Sequence, residues 1–306
     1  MKSKSLSTAM LFLAAIIWGF AFAAQDAADS VPTFTLGVSR SLLASVFLIF
    51  VIMLFDRITK SGRRLFSRKG IDFNRTELIG GAICGVILAV ASAFQQAGIN
   101  GGTDGGKAAF ITALYVVLVP VYALALKKRA PFNVWISIAL SVVGFYLLCI
   151  KEDFSVIPSD LLVLGCSLIF PIHILTIDRF SPKCDGVRLS CIQFFTCALV
   201  SLIFALIFEM PIAFGEIRNN LLPIAVLGIG SSGIAYTLQI LGQRGVNPSA
   251  ATIILSLESV FGIVGTALFL GQTLTPREYI GCGIVLAAVI LAQLNFNFKS
   301  KKPTKE

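Results

Sequence analysis

Ala108-Ala109-Phe110-Ile111-Thr112-Ala113-Leu114-Tyr115-Val116-Val117-Leu118-Val119-Pro120 decides how this chain is read. The run is almost wholly apolar. It begins after the glycine-rich turn Gly101 to Gly106 and stops at Lys127-Lys128-Arg129. It has a weak second copy 144 positions on, where Phe110 to Val117 (FITALYVV) falls on Ile254 to Phe261 (ILSLESVF). The same gapless frame places Gln95 on Gln239, Gly98 on Gly242 and Gly101 on Gly245, and it holds from about Gln95 to Gly144. Identities are few; the weight lies in the constant frame. The pattern predicts an all-α integral membrane protein of ten transmembrane helices, built as two inverted five-helix repeats, residues 1–150 and 151–306. Inverted repeats place their binding site near the midplane between the halves.

Composition points the same way. Apolar residues make up 56% of the 306 and charged residues 13%, and mean hydropathy is +0.88. A soluble domain carries about 25% charged residues, so this chain cannot cover a soluble surface. Spans of about 20 apolar residues cross a bilayer, and ten such segments can be drawn, several of them short. The net charge of +9 does not call for nucleic acid, because the basic residues concentrate in alternate loops. The seven cysteines are scattered without a CxxC and read as small core residues, not as a disulfide framework or metal site.

In chain order the expected helices are 6–24, 34–55, 78–96, 108–126, 131–150, 159–177, 189–208, 221–241, 249–270 and 276–294. Residues 1–24 resemble a signal peptide ending in Ala21-Phe22-Ala23, but the apolar run is long and nine spans follow, so it reads as the first helix. Gln25 to Pro32 reads as an outer loop. With both termini inside, 20 of the 25 Lys and Arg residues fall on the cytoplasmic side and four outside, with Arg40 inside a helix. That bias orients the chain. An odd number of helices per half then inverts the second half relative to the first.

Several polar residues lie within these spans. Arg40 reads either as an interior group or as a side chain snorkelling to the headgroups. A shift of 153 positions puts Gln193 opposite it, and a polar residue at both places favours the interior. Glu258 lies three turns into its helix, where an ionised carboxylate is costly to bury. Three roles stand open for it: proton carrier, partner of Arg40, or structural glue. His173, the one histidine, follows Pro171, whose ring frees a backbone carbonyl. A lone His in an apolar span is usually satisfied by a neighbour, yet His titrates near neutral pH. Gln95 and Gln96, with Tyr236 and Gln239 three apart on one helical face, form the best polar set for a small zwitterion. Trp18 and Tyr115 supply aromatic walls. The glycine turn lacks GK[ST] and a preceding strand, so it reads as a flexible turn. Neither HExxH nor GxSxG occurs. No catalytic residue, metal or cofactor is expected.

Ile17-Trp18-Gly19, Arg40-Ser41-Leu42-Leu43-Ala44, Ala109-Phe110-Ile111 with Pro120, and Leu257-Glu258-Ser259-Val260-Phe261 resemble motifs of the EamA-like family of the drug/metabolite transporter superfamily. The resemblance covers about residues 6–295. Ser259 stands where the family pattern has proline, and Gly271-Gln272 where it has Gly-Glu. The resemblance implies ten helices, both termini in the cytoplasm, and movement of small metabolites, often amino acids and often outward.

These readings predict a secondary carrier of the cytoplasmic membrane, moving a small organic metabolite by alternating access. The expected partners are that substrate and the lipid bilayer, not nucleic acid; the sequence carries no signal for an oligomeric state. An integral-membrane enzyme acting on lipid would want a catalytic His or Asp cluster at one interface. A scaffold would want a soluble domain, and the longest polar segment is only Asp56–Glu77. The topology is testable by cysteine accessibility in a Cys-free background. A probe beside Arg64 should resist an impermeant reagent in intact cells, and its labelling there would overturn the orientation.

Overall fold

The computed structural model describes residues 4–58, 73–127, 130–149, 156–262 and 275–293. Their secondary structure is entirely helical: α1 (Lys4–Asp26), α2 (Thr33–Ile58), α3 (Arg75–Asn100), α4 (Gly105–Ala125), α5 (Phe132–Cys149), α6 (Pro158–Phe180), α7 (Gly186–Phe208), α8 (Leu221–Gln243), α9 (Pro248–Gly262) and α10 (Pro276–Gln293), with a short 3-10 turn at Ser181–Lys183 and a short helix at Phe214–Asn219, expected as part of an outer loop. Among the described residues seven helices are long and apolar enough to cross a membrane, namely α1, α2, α3, α4, α6, α7 and α8. The basic loop around Arg63-Arg64, Lys128-Arg129, residues 151–155, the expected end of the ninth helix with Gly271-Gln272, and the lysine tail lie outside the described residues.

Helix ends run past the apolar runs because polar caps set them. Asn74 accepts from the Glu77 amide at 2.7 Å, and Glu77 accepts from the Asn74 amide at 2.9 Å. This reciprocal box starts α3 three residues before its first apolar side chain. Asp104 accepts from Gly106 and Lys107 and opens α4. Asp185 does the same for α7 through Val187 and Arg188. The glycine turn is therefore not the flexible element expected. Gly102 takes φ +99, a conformation natural to glycine. Thr103 donates to Asp160 of α6 at 3.0 Å, and Lys107 pairs with the same carboxylate at 2.5 Å. Gln25 likewise belongs to α1, buried at 4% exposure, and not to an outer loop.

The outer surface is apolar. Phe50, Ile203, Phe208, Leu222 and Ile290 are each more than half exposed, as lipid-facing side chains should be. Inside, α3 lies along α6 and α7, α2 along α7 and α8, α1 along α8, and α5 against α10. Small residues let these backbones meet. A side chain at Gly98 would strike Val163, and its Cβ would lie 3.0 Å from the Ser159 carbonyl. One at Gly242 would lie 2.8 Å from Leu11 and 2.9 Å from the Ser7 carbonyl. Gly98→Val and Gly242→Val should each lower the melting temperature in detergent, by the equivalent of about 1–3 kcal/mol for overpacking. A melting curve unchanged in both would show that these helices do not pack as closely as described.

Candidate functional site

Three helices lose regular geometry around one point. α4 is interrupted at Leu114, whose amide bonds back to Ile111 and whose carbonyl accepts from Val117. Pro120 lies a turn and a half further on and cannot bond the carbonyl of Val116. α9 is interrupted at Ser256-Leu257, where Leu257 bonds back to Ile254 and Ser259 to Ser256. Val226–Ala235 of α8 is wound as a π-helix. Such widened turns often mark functional sites, and this one holds Gly228, Gly230 and Gly233 with Ser231 and Ser232.

A cavity of about 40 Å³ lies among these irregularities, walled by α1, α2, α3, α4, α6, α8 and α9. A water needs about 10–15 Å³ on this measure, so the space holds a few waters and is too narrow for an amino acid. Seven of the residues singled out in the sequence face it: Trp18, Arg40, Gln95, Tyr115, Tyr236, Gln239 and Glu258. Trp18 and Tyr236 meet edge to face with ring centroids 4.7 Å apart.

The two charged side chains are buried, Arg40 at 8% and Glu258 at 5% exposure, and they do not pair with each other. Arg40 donates from Nε to Ser232 Oγ at 3.2 Å and from Nη2 to Ser231 Oγ at 3.4 Å. Among the described residues no carboxylate holds it. The π segment turns both serines toward it. Tyr115 donates its hydroxyl to Glu258 Oε1 at 3.1 Å. Gly19 backs this group: a Cβ there would lie 2.6 Å from the Phe261 Cβ and 2.8 Å from the Glu258 carbonyl. Ser259 donates to the Ala109 carbonyl at 3.4 Å, which ties the two interrupted helices together.

The remaining expected residues sit elsewhere. Gln96 borders a second space of about 20 Å³, shared with Arg40 and Tyr236. His173 and Gln193 do not face the cavity; they bond each other at 3.0 Å, fully buried between α6 and α7. Gln193 takes one ring nitrogen of the histidine, and the ring meets Tyr236 edge to face at 5.9 Å. Sequence reading missed Gln25, which donates to both Gln95 and Gln96 at 3.1 Å. It also missed Thr112, which accepts from Gln95 at 3.0 Å, and Ser231. Gln25 lay one residue past the apolar run, and the two hydroxyls carry no signal in an apolar span.

The sequence profile of the EamA-like transporter family matches residues 6–150 and 157–294. The chain belongs to the EamA-like transporter family. An uncharacterized transporter of Archaeoglobus fulgidus is 29% identical over 93% of this chain and 84% of its own length. The threonine/homoserine exporter RhtA of Escherichia coli K12 is 28% identical over 60% of this chain and 61% of its own. The inner membrane transporter YedA of the same bacterium is 23% identical over 96% of this chain and 92% of its own. A solved crystal structure superposes with a TM-score of 0.75 at 15% identity, covering 95% of this chain and 97% of that one, which shows a shared fold. The protein is thus a multi-pass membrane protein of a transporter family, and the lipid-enzyme and scaffold readings fall away.

Because Gly19 lets α1 touch the Glu258 turn, Gly19→Val should force the two helices apart and admit water beside Trp18. In a Trp135→Phe background Trp18 is the sole tryptophan, and its emission should shift to longer wavelength. An unshifted spectrum would show that the contact does not seal the cavity.

Proposed function

We propose that the protein carries a small amino acid or closely related carboxylate across the membrane by alternating access. The halves α1–α5 and α6–α10 would be inverted repeats that rock about the Arg40–Glu258 cavity, with ten crossings and both termini in the cytoplasm. The observation that carries this reading is Arg40: a guanidinium buried in a polar cavity, held by two hydroxyls and, among the described residues, by no carboxylate. A substrate carboxylate is the natural counter-charge, since a planar guanidinium binds one through two parallel bonds. Gln95 and Gln239 offer amides to the rest of a zwitterion. The threonine/homoserine exporter among its relatives supports amino acids and outward movement.

The packing supports the inverted repeat. A five-helix shift turns the α3–α6 pair into α8–α1 and the α3–α7 pair into α8–α2, and maps α2–α7 and α5–α10 onto themselves; all of these pairs are packed. The contacts repeat in detail. Gly98 and Gly101 meet Ser159, and Gly242 and Gly245 meet Ser7. Ser7 and Leu11 are carried onto Ser159 and Val163 by a shift of 152 positions. The narrow cavity suits a state in which the halves have closed, so admitting substrate requires one half to move.

Counterflow of labelled amino acids in proteoliposomes tests this. Arg40→Gln should cut transport roughly 10- to 100-fold, the effect of a lost charge-assisted hydrogen bond, with Arg40→Lys between the two. Gln95→Ala and Gln239→Ala should each reduce transport more than expression. Wild-type rates in all of them would overturn the site. Glu258→Gln separates the two roles left for that residue. If Glu258 carries a coupling proton, the variant should exchange substrate but lose its response to an imposed pH gradient. Equal gradient responses in variant and wild type would leave Glu258 as the structural partner of Tyr115.

A further inference from the structure

A groove of about 260 Å³ opens on the apolar outer surface between α2, α3, α6 and α7. Ala89, Ala93 and Ala97, one turn apart, form its floor on α3; Phe94, Leu162 and Phe204 form its rim. Phe34 stacks on Phe204 with centroids 5.3 Å apart at one end. All four helices are apolar and long enough to cross the membrane, so this face looks onto hydrocarbon. Phe34, Ala89, Ala93 and Ser201 also line the 20 Å³ space whose far wall carries Arg40 and Tyr236, and those two residues face the central cavity. The outer groove and the inner space thus share four wall residues, and the inner space shares Arg40 and Tyr236 with the central cavity. Ser232 and Ser231 take Nε and Nη2 of Arg40, and among the described residues nothing holds Nη1.

We infer that this groove binds an alkyl carboxylate drawn from the bilayer, a free fatty acid, with its chain along the alanine floor and its carboxylate on Arg40. The apolar walls select the tail and the uncompensated cation selects the head. The inner space is the size of one or two waters, which a carboxylate fills. The inference rests on Arg40 as the carboxylate-binding group proposed above. It implies that a bound fatty acid competes with the transported carboxylate for the same guanidinium.

The test uses the purified full chain in lipid nanodiscs, with a diazirine-bearing palmitic acid and the matching palmityl alcohol. Mapping of the adducts by mass spectrometry should find the acid on Phe94, Leu162 or Phe204 about tenfold more than the alcohol, the effect of one charge-assisted bond. Ala93→Trp, which fills the groove, should remove the difference, and so should the milder Ala97→Leu if the first variant does not fold. Equal labelling by acid and alcohol in the wild-type chain would overturn the inference without any variant. So would acid adducts spread evenly over Leu206, Ile207 and Leu222 outside the groove. Arg40→Gln keeps the two proposals apart. Loss of amino-acid transport with acid labelling intact would end the fatty-acid site and spare the substrate reading. Wild-type transport in that variant would end the substrate reading instead.

Discussion

Hydrocarbon offers a backbone nothing to bond, so every break in a membrane helix must be satisfied by protein or line a polar space. That constraint organises this molecule. The interruption of α4 at Leu114, the interruption of α9 at Ser256-Leu257 and the π segment of α8 all fall on one buried cavity. On the lipid side the helices are regular and apolar. The irregular turns gather the polar groups: the π segment presents Ser231 and Ser232, and the two breaks place Tyr115 and Glu258 opposite each other. The two serines are adjacent in the chain, and the Arg40 guanidinium reaches both through two different nitrogens, Nε and Nη2.

Close approach is the second requirement, and glycine meets it. Without solvent to drive helices together, packing depends on small residues that bring backbones into contact. Gly98 on Ser159 and Gly242 on Ser7 pin α3 to α6 and α8 to α1. Gly19 does the same for α1 against the Glu258 turn. These contacts set the depth of the cavity, since they fix how near each polar side chain comes to the centre.

Much of this was legible in the sequence, for physical reasons that also set the limit. Hydropathy marks spans because lipid imposes apolarity on every exposed face; it located the apolar helices but not the short helix Phe214–Asn219, which read as an outer loop. It misjudged their ends. Glu77 and Asp104 read as loop residues, but the capping that terminates a helix needs charged or polar groups and extends it beyond the apolar run. Gln25 reads as a loop residue because it follows the last apolar residue of the run, although its side chain is held inside by Gln95 and Gln96. The frame of 144 positions sets Glu258 on Leu114, next to Tyr115, so the Tyr115–Glu258 pair was nearly readable. The bond from Arg40 to Ser231 and Ser232 was not. It depends on the helical winding of α8, which no periodicity in a serine- and glycine-rich stretch reveals. His173 and Gln193 read as cavity candidates but bond each other, since polarity alone does not say whether a buried group faces a cavity or a neighbour.

The two ionisable side chains in the cavity are held in a crossed arrangement. Arg40 comes from α2 and its hydroxyls from α8; Glu258 comes from α9 and its hydroxyl from α4. Each five-helix set therefore supplies one charge and the partner of the other set's charge. A motion of one set against the other strains both pairs at once, because neither charge shares a rigid element with what satisfies it. Leaving a buried charge without its partner is costly, so under the proposed motion a replacement partner is needed. A carboxylate arriving at Arg40 provides one for the cation, and a proton on Glu258 removes the need for one at the anion. Under the proposed function, movement between the two sets is tied to occupancy of the cavity, since the groups proposed to bind the ligand are also the groups that bond one set to the other.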